Sequence, residues 1–347
     1  MSDRELMAKS DDEQSTKSTS STSDSQSGDE RLEKDTETGE VEDPEEAPST
    51  VSDEGRDSPV IKPPMLALLE PTEGQYDIVL VHGLHGDQQK CWAGPTDEDG
   101  KPTWLTEGLA GNPPVARIYS FGYSLKLDSL SKSPMTAIHD LADLLVNELY
   151  EKIKDDPTSP FRPIMFITHD IGGVIVKEAL RITFLEKTNY NWLSIYTRAL
   201  VFFGCPHQSI YDGSMTDQLL PLVFQHGPPS GKLCLQDIVA LGKGIEELNA
   251  SFVGLQASLS MEIINIYSNN SAPKIFDQVS ATIGLPYEIN LASSKSHSEL
   301  CRLQKEDAIY RKIEDRISGS AKGMSSTSGV DYFHTQAPQS LSVERSG

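Results

Sequence analysis

The chain has 347 residues and a formal net charge of −22, a balance that argues against nucleic-acid phosphate as a partner, because no basic patch is available to release counterions. Thirteen of those excess negative charges fall in residues 1 to 60, which hold 19 Asp or Glu against 6 Lys or Arg. Four widely spaced cysteines, Cys91, Cys205, Cys234 and Cys301, form no C-x-x-C pair and read as reduced thiols rather than disulfides or a zinc site.

Residues 1–63 combine this charge with Ser and Thr tracts such as Ser18-Thr19-Ser20-Ser21-Thr22-Ser23. Such a stretch cannot bury enough apolar surface to offset its chain entropy, so the arm is expected to be disordered, with docking of a protein partner as its functional alternative. Its N-terminus lacks the apolar core of a secretory signal and the Arg-rich character of a transit peptide, and no apolar run approaches the roughly 20 residues of a membrane span. The sequence therefore reads as an intracellular, cytosolic chain without a transmembrane segment. Residues 64–317 are expected to form one α/β domain, and the Ser- and Gly-rich residues 318–347 a second disordered tail.

Within the domain, strand signals alternate with helical ones, the pattern of a mostly parallel sheet covered on both faces. Asp77 to Val81 is the first buried strand and runs into His82-Gly83-Leu84-His85-Gly86; Val115 to Phe121 is the next. From Met135 to Ile153, Ile138, Leu141, Leu144, Leu145, Leu149 and Ile153 recur at three and four, marking a covering helix. Ile164 to His169 is a third strand, and Ile171-Gly172-Gly173-Val174-Ile175-Val176 opens a helix directly after it. Asp170 stands at the turn between them. Ala199 to Phe203 and Glu262 to Tyr267 are further strands, and the long connection between them, about 207–261, is expected to form a helical lid.

A strand, a sharp turn followed by glycines and a helix make a nucleophile elbow, which lifts one side chain above the sheet. The predicted fold is accordingly α/β, an α/β-hydrolase fold with a doubly wound, mostly parallel sheet and a helical lid insertion. In the usual G-x-S-x-G form the lifted residue is serine, and the chain contains no such motif elsewhere. Here it is Asp170. The backbone N–H groups of Leu84 and Ile171 are the expected oxyanion-hole donors.

Ligands of such sheets bind beyond the carboxyl ends of the strands, where His82, His85, His169, His207 and His297 all fall. His82 and His85 read first as loop residues, with His82 and His207 as possible accessory groups. His297, late in the domain, takes the place of a triad histidine. The triad acid belongs after the strand ending at Tyr267, but Ser268-Asn269-Asn270 offers no negative charge. Asp212 is the alternative orienting acid, and Tyr211 a candidate lid donor. Asp170 with His82, His85 or His297 lacks the recurring spacing of a metal site, and no P-loop or G-x-G-x-x-G is present. Neither metal nor cofactor is expected.

Five ordered blocks carry a resemblance: Ile78-Val79-Leu80-Val81-His82-Gly83-Leu84, Ala116-Arg117-Ile118-Tyr119-Ser120-Phe121-Gly122-Tyr123, the elbow run, Phe202-Phe203-Gly204-Cys205-Pro206-His207, and Ser280-Ala281-Thr282-Ile283-Gly284 with His297-Ser298-Glu299-Leu300-Cys301. Over about residues 66 to 316 the chain resembles the fungal esterase or lipase-like α/β-hydrolases related to the serine-active-site-containing protein family, which are often fused to NACHT or NB-ARC modules. The resemblance implies His-Ser-Leu-Gly-Gly where this chain has His169-Asp170-Ile171-Gly172-Gly173, and a carboxylate where it has Ser268. It also implies lipid or ester metabolism, a lipid-like or other small ester ligand, and association with mitochondrial or endoplasmic-reticulum membrane. Three readings follow: a hydrolase impaired as a serine esterase, an active hydrolase using Asp170 on a saturated carbon with His297 as base in the manner of epoxide hydrolases and haloalkane dehalogenases, and a non-catalytic binding or regulatory scaffold.

Overall fold

Alternation along the strands decides which side chains meet which layer, since successive residues of a strand point to opposite faces. Val79, Val81, Phe166, Leu200 and Phe202 join one apolar cluster, while Ile78, Leu80, Met165, Ile167, Val201 and Phe203 join another. The sheet is therefore buried on both sides. The computed structural model describes residues 64–71, 74–95, 102–109, 115–127, 132–154, 162–185, 191–211, 214–225, 233–256, 258–259, 261–270 and 275–326. The acidic arm assigned to residues 1–63 lies outside them.

The sheet has seven strands, β1 (Met65–Leu69), β2 (Tyr76–Val81), β3 (Ala116–Phe121), β4 (Ile164–His169), β5 (Thr197–Phe203), β6 (Glu262–Ser268) and β7 (Ile289–Ser293), in the spatial order β1-β3-β2-β4-β5-β6-β7. All pairings are parallel except that of β1 with β3. With the elbow after β4, this is the α/β-hydrolase fold expected from the sequence. The chain leaves β2 toward β3 and returns to the other side of β2 as β4, so the loops after β2 and β4 part above the sheet and open a crevice there. Strand β2 carries one charged residue inside its buried run. Asp77 is neutralised across the ladder by its register partner Arg117, whose Nε and Nη2 reach the two carboxylate oxygens at 2.6 and 2.7 Å.

Helix α1 (Pro134–Ile153) starts where Ser133 caps the Thr136 N–H and Pro134 occupies the first turn, positions that suit both residue types. Its buried stripe of Ala137, Ile138, Ala142, Leu145, Val146, Leu149 and Ile153 lies against α2 (Ile171–Leu185), the helix launched from the elbow. Helix α3 (Asn191–Tyr196) follows it, and α5 (Leu235–Gln256) completes this layer. On the opposite face α6 (Ala308–Ser326) places Tyr310, Ile313 and Ile317 against Trp104 and the second cluster.

The structure departs from the sequence expectation in three places. Strands β1 and β7, both at sheet edges, were not expected: β1 shows no period-two pattern in Met-Leu-Ala-Leu-Leu, and β7 alternates exposed Asn290 and Ala292 with buried or half-buried neighbours. Helix α6 runs past residue 317 into the stretch read as a tail, because its Ser and Gly residues lie beyond the apolar side chains that anchor its first turns. The connection 207–261 is not lid throughout: α5 packs on α1 and α2, and among the described residues it is α4 (Ser214–Val223) and the turn after it, at Leu222 and Gln225, that reach the crevice.

Candidate active site

Asp170 adopts φ +53°, the left-handed region that a non-glycine residue enters at a cost of about 1–3 kcal/mol and keeps only where surrounding bonds fix it. Its N–H donates to the Phe203 carbonyl at 2.9 Å, and its carbonyl accepts from the Gly173 N–H at 3.1 Å, tying the turn to β5 on one side and α2 on the other. The loop after β2 can approach this turn because residue 83 is glycine. A Cβ there would lie 2.7 Å from both Cβ and Oδ2 of Asp170 and 3.0 Å from Nδ1 of His169.

The carboxylate is held by the backbone of the β2 loop. Leu84 N–H, one of the two expected oxyanion-hole donors, donates to Asp170 Oδ2 at 3.0 Å, and the neighbouring Ile171 N–H helps to lower the carboxyl's pKa. Burial raises the Asp170 pKa to about 6, with the neighbouring His169 charge and the two N–H bonds pulling the other way. The second oxygen, Oδ1, is buried with no hydrogen-bond partner among the described residues.

Asp170 and His297 line one cavity of about 220 Å³, together with Gly83, His85, Cys91, His169 and Leu222. His297 lies on a short turn, His297–Glu299, after β7. Gly204 lets the ring in: at φ +54° it occupies the left-handed region, and a Cβ there would stand 2.7 Å from His297 Nδ1. The His297 Nε2 atom is buried and without a hydrogen-bond partner among the described residues. Burial first, and then the charge of His169, hold the imidazole well below its usual range, so it is neutral near pH 7.

The other expected residues fare differently. Ser268 is the last residue of β6, one beyond the strand end expected at Tyr267, and its hydroxyl donates to the Lys295 carbonyl at 2.7 Å and accepts from the Asn270 N–H at 3.2 Å, closing the loop instead of orienting His297. His82 is a structural residue: its ring stacks on Tyr123 at 4.3 Å, its Nε2 accepts from the Tyr123 N–H at 3.3 Å, and burial lowers its pKa to about 4. His85 lines the cavity and bonds the Leu222 carbonyl at 3.0 Å, joining the β2 loop to the end of α4. His207 is taken up beside α2, where Lys177 Nζ meets its Nδ1 at 2.8 Å and also donates to Asn249 at 3.3 Å. Burial lowers that lysine to about 8. Tyr211 is exposed and its hydroxyl donates to Asp217, away from the cavity, and Asp212 lies outside the described residues.

Sequence reasoning passed over the groups on the far side of the cavity. His169 Nε2 donates to the His297 carbonyl at 3.0 Å, and its ring lies 4.9 Å from that of His297. Its Nδ1 stands 3.7 Å from Cys91 Sγ, which in turn lies 3.3 Å from Cys301 Sγ. Burial works to lower the His169 pKa, but Cys91, Asp170 and the His297 carbonyl outweigh it and take it to about 9. The Cys91 thiol is pushed well above its usual range by the hydrogen bond with Cys301 and by burial. The available signal was positional: Cys91 follows the β2 loop and Cys301 lies four residues beyond His297.

No helix among the described residues is long and apolar enough to cross a membrane. No known family profile matches the chain. Among curated proteins it is similar to protein SERAC1 of Danio rerio, 23% identical over 270 residues that make up 70% of this chain and 39% of the relative. Protein SERAC1 of Mus musculus is 24% identical over 285 residues, 75% of this chain and 41% of the relative. The chain thus spans about two fifths of the length of these curated relatives. Among solved structures, the mature lipase BlEst2 of Bacillus licheniformis aligns with a TM-score of 0.43 at 14% identity, covering 72% of this chain and 97% of that one. The enol-lactonase from Burkholderia xenovorans LB400 aligns with a TM-score of 0.42 at 12% identity over 73% and 95%. The chain is an α/β-hydrolase-fold protein with a distant likeness to SERAC1.

Proposed function

We propose that this chain is a hydrolase-fold protein that binds a small ester or lipid-like ligand and has lost serine-esterase turnover. In this reading Asp170 stands where a nucleophilic serine would be and Ser268 where the triad acid would be. The observation that carries it is the 3.0 Å bond from Leu84 N–H to Asp170 Oδ2. Acyl transfer depends on those donors being free for a negative charge that develops only in the transition state. A standing carboxylate takes them in the ground state and repels a second anion. Loss of a triad nucleophile costs up to about 10⁶ in turnover. Purified protein given short-chain p-nitrophenyl esters is expected to show no rate above that of Asp170→Ala. Robust turnover abolished by Asp170→Ala would overturn the reading.

One observation favours a second reading. With Oδ2 held in the hole, Oδ1 and His297 Nε2 both remain unpartnered, and both residues line the same cavity. In this scheme Oδ1 attacks a saturated carbon, the bond from that carbon to its leaving oxygen or halide breaks, and an alkyl ester forms on Asp170. Neutral His297 then takes a proton from the water that hydrolyses the ester. His297→Ala would trap the ester, visible by peptide mass spectrometry after exposure to epoxides or haloalkanes. An unmodified Asp170 peptide across a varied panel rules it out.

The resemblance extends the proposal to a role in lipid metabolism at mitochondrial or endoplasmic-reticulum membrane, which fractionation of the tagged protein tests. Residues 1–63 are proposed as a docking segment for a protein partner, tested by comparing the partners recovered with and without the arm.

A further inference from the structure

We propose that Cys91, His169 and Cys301 form a binding site for one Zn²⁺ ion, open to the cavity beside Asp170. The three residues come from separate parts of the chain: Cys91 from the loop after β2, His169 from the end of β4, and Cys301 from the loop after β7. Their donor atoms all lie within 4.8 Å of one another, and all three residues are buried. Two soft thiolates and an imidazole are the donor set of Zn²⁺ sites, not of Ca²⁺ or Mg²⁺ sites.

The geometry is close to what the ion needs. Zinc–sulfur bonds of about 2.3 Å and zinc–nitrogen bonds of about 2.0 Å, set tetrahedrally, place the sulfurs about 3.8 Å apart and each about 3.5 Å from the nitrogen. Cys91 Sγ stands 3.3 Å from Cys301 Sγ and 3.7 Å from His169 Nδ1. These two separations are within about half an ångström of the requirement, and the third pair, Cys301 with His169, lies within 4.8 Å and closes as the ion draws the donors in.

The histidine is also held as a ligand should be. A carbonyl only accepts, so the 3.0 Å contact with the His297 carbonyl fixes His169 Nε2 as a donor and leaves Nδ1 as the nitrogen facing the sulfurs. Donation of the second ring N–H to a carbonyl is the usual support for a metal-bound imidazole. Both thiols and His169 Nδ1 release their protons to solvent on binding, so Cys301 gives up its 3.0 Å bond to the Cys91 carbonyl.

Three protein donors leave a fourth position. Cys91 and His169 line the cavity of about 220 Å³, which is roomy enough for a water molecule at that position. Asp170, whose Oδ1 is buried without a hydrogen-bond partner among the described residues, also lines this cavity. A zinc-bound water would then face the ligand cavity. The inference is independent of whether Asp170 turns over any substrate.

The test is metal binding by the full-length protein, purified under reductant and equilibrated with Zn²⁺ alone or Co²⁺ alone. One equivalent of zinc per chain should survive desalting, and the Co²⁺ form should show sulfur-to-cobalt charge-transfer and intense tetrahedral absorption. Cys91→Ser and Cys301→Ser should each lose the retained zinc and weaken the charge-transfer band, while Cys205→Ser and Cys234→Ser keep both. Failure of the folded wild type to retain zinc, or full retention by folded Cys91→Ser and Cys301→Ser, overturns the site. Should either serine variant not fold, X-ray absorption at the zinc edge of the wild type decides: two sulfurs and one imidazole nitrogen are expected, and a shell without sulfur overturns it.

Discussion

The elbow after β4 and the loop after β6 are the two places where the proposed reading sets a changed nucleophile and a changed acid, and they differ in how firmly their geometry is held. At the elbow the backbone is intact: φ +53° at Asp170, the close approach of Gly83, and the N–H groups of Leu84 and Ile171 all converge on the turn. After β6, Ser268 instead closes its own loop onto Lys295 and Asn270. The elbow is held by bonds between main-chain atoms and by glycines, none of which depends on what side chain stands at the crest. The loop after β6 has no such frame, and a hydroxyl there finds local partners as readily as any loop serine does.

The largest effect expected from this contrast is a gain of activity. Asp170→Ser paired with Ser268→Glu should raise p-nitrophenyl ester hydrolysis by about 10³-fold or more over the parent, because the serine frees the oxyanion donors and the glutamate can orient His297. Asp170→Ser alone should recover only part of that, about 10²-fold less than the pair. Equal rates for the single and double variants would show that the acid position contributes nothing here. No gain in either would show that the cavity no longer seats an ester.

A stability measurement separates the two regions next. Gly83→Ala puts a methyl 2.7 Å from Asp170 Cβ, a backbone-fixed atom that cannot swing away, so the elbow and the β2 loop must part. A loss of about 3 kcal/mol in denaturant unfolding is expected, at the upper end of overpacking costs. A loss below about 1 kcal/mol would mean that the elbow is softer than its bonds suggest.

The sequence made the elbow legible for the same reason that it is rigid. A buried strand, a turn and a glycine-led helix leave a local pattern; Asp170 and His297 line one cavity, and Leu84 N–H bonds Asp170. The sheet was readable where strands are buried on both faces and not where they are edges, which is why β1 and β7 were missed. Side-chain partnerships over long sequence separations left no local trace. That His207 is consumed by Lys177, that Asp170 takes the Leu84 N–H, and that Cys91 meets Cys301 across 210 positions all depend on tertiary approach.

The buried carboxylate also gives the elbow a pH signature. Asp170 has a native pKa of about 6 against an ordinary 3.8, so the folded state holds the proton more tightly than the unfolded chain. Its contribution is therefore fully present below pH 4 and is lost as pH rises through about 6. Asp170→Asn keeps an oxygen for the Leu84 N–H and removes the charge. The variant should match the parent near pH 4 and exceed it by about 3 kcal/mol at pH 8, read from paired denaturant titrations. A difference that stays flat with pH would show that the carboxylate is better solvated than its burial implies.

Ser268→Ala should have the smallest effect, and it tests the loop side of the comparison directly. Removing the hydroxyl loses a 2.7 Å bond to the Lys295 carbonyl and a 3.2 Å bond from the Asn270 N–H. Ser268 is only partly buried, so water can replace both bonds, and the cost is expected to be about 1 kcal/mol. Whatever rate the Asp170→Ser variant shows should be unchanged when Ser268→Ala is added, because the hydroxyl is not oriented toward His297. A fall of tenfold or more in that background would mean that Ser268 swings from its loop to support the imidazole, and the two regions would then be one working site.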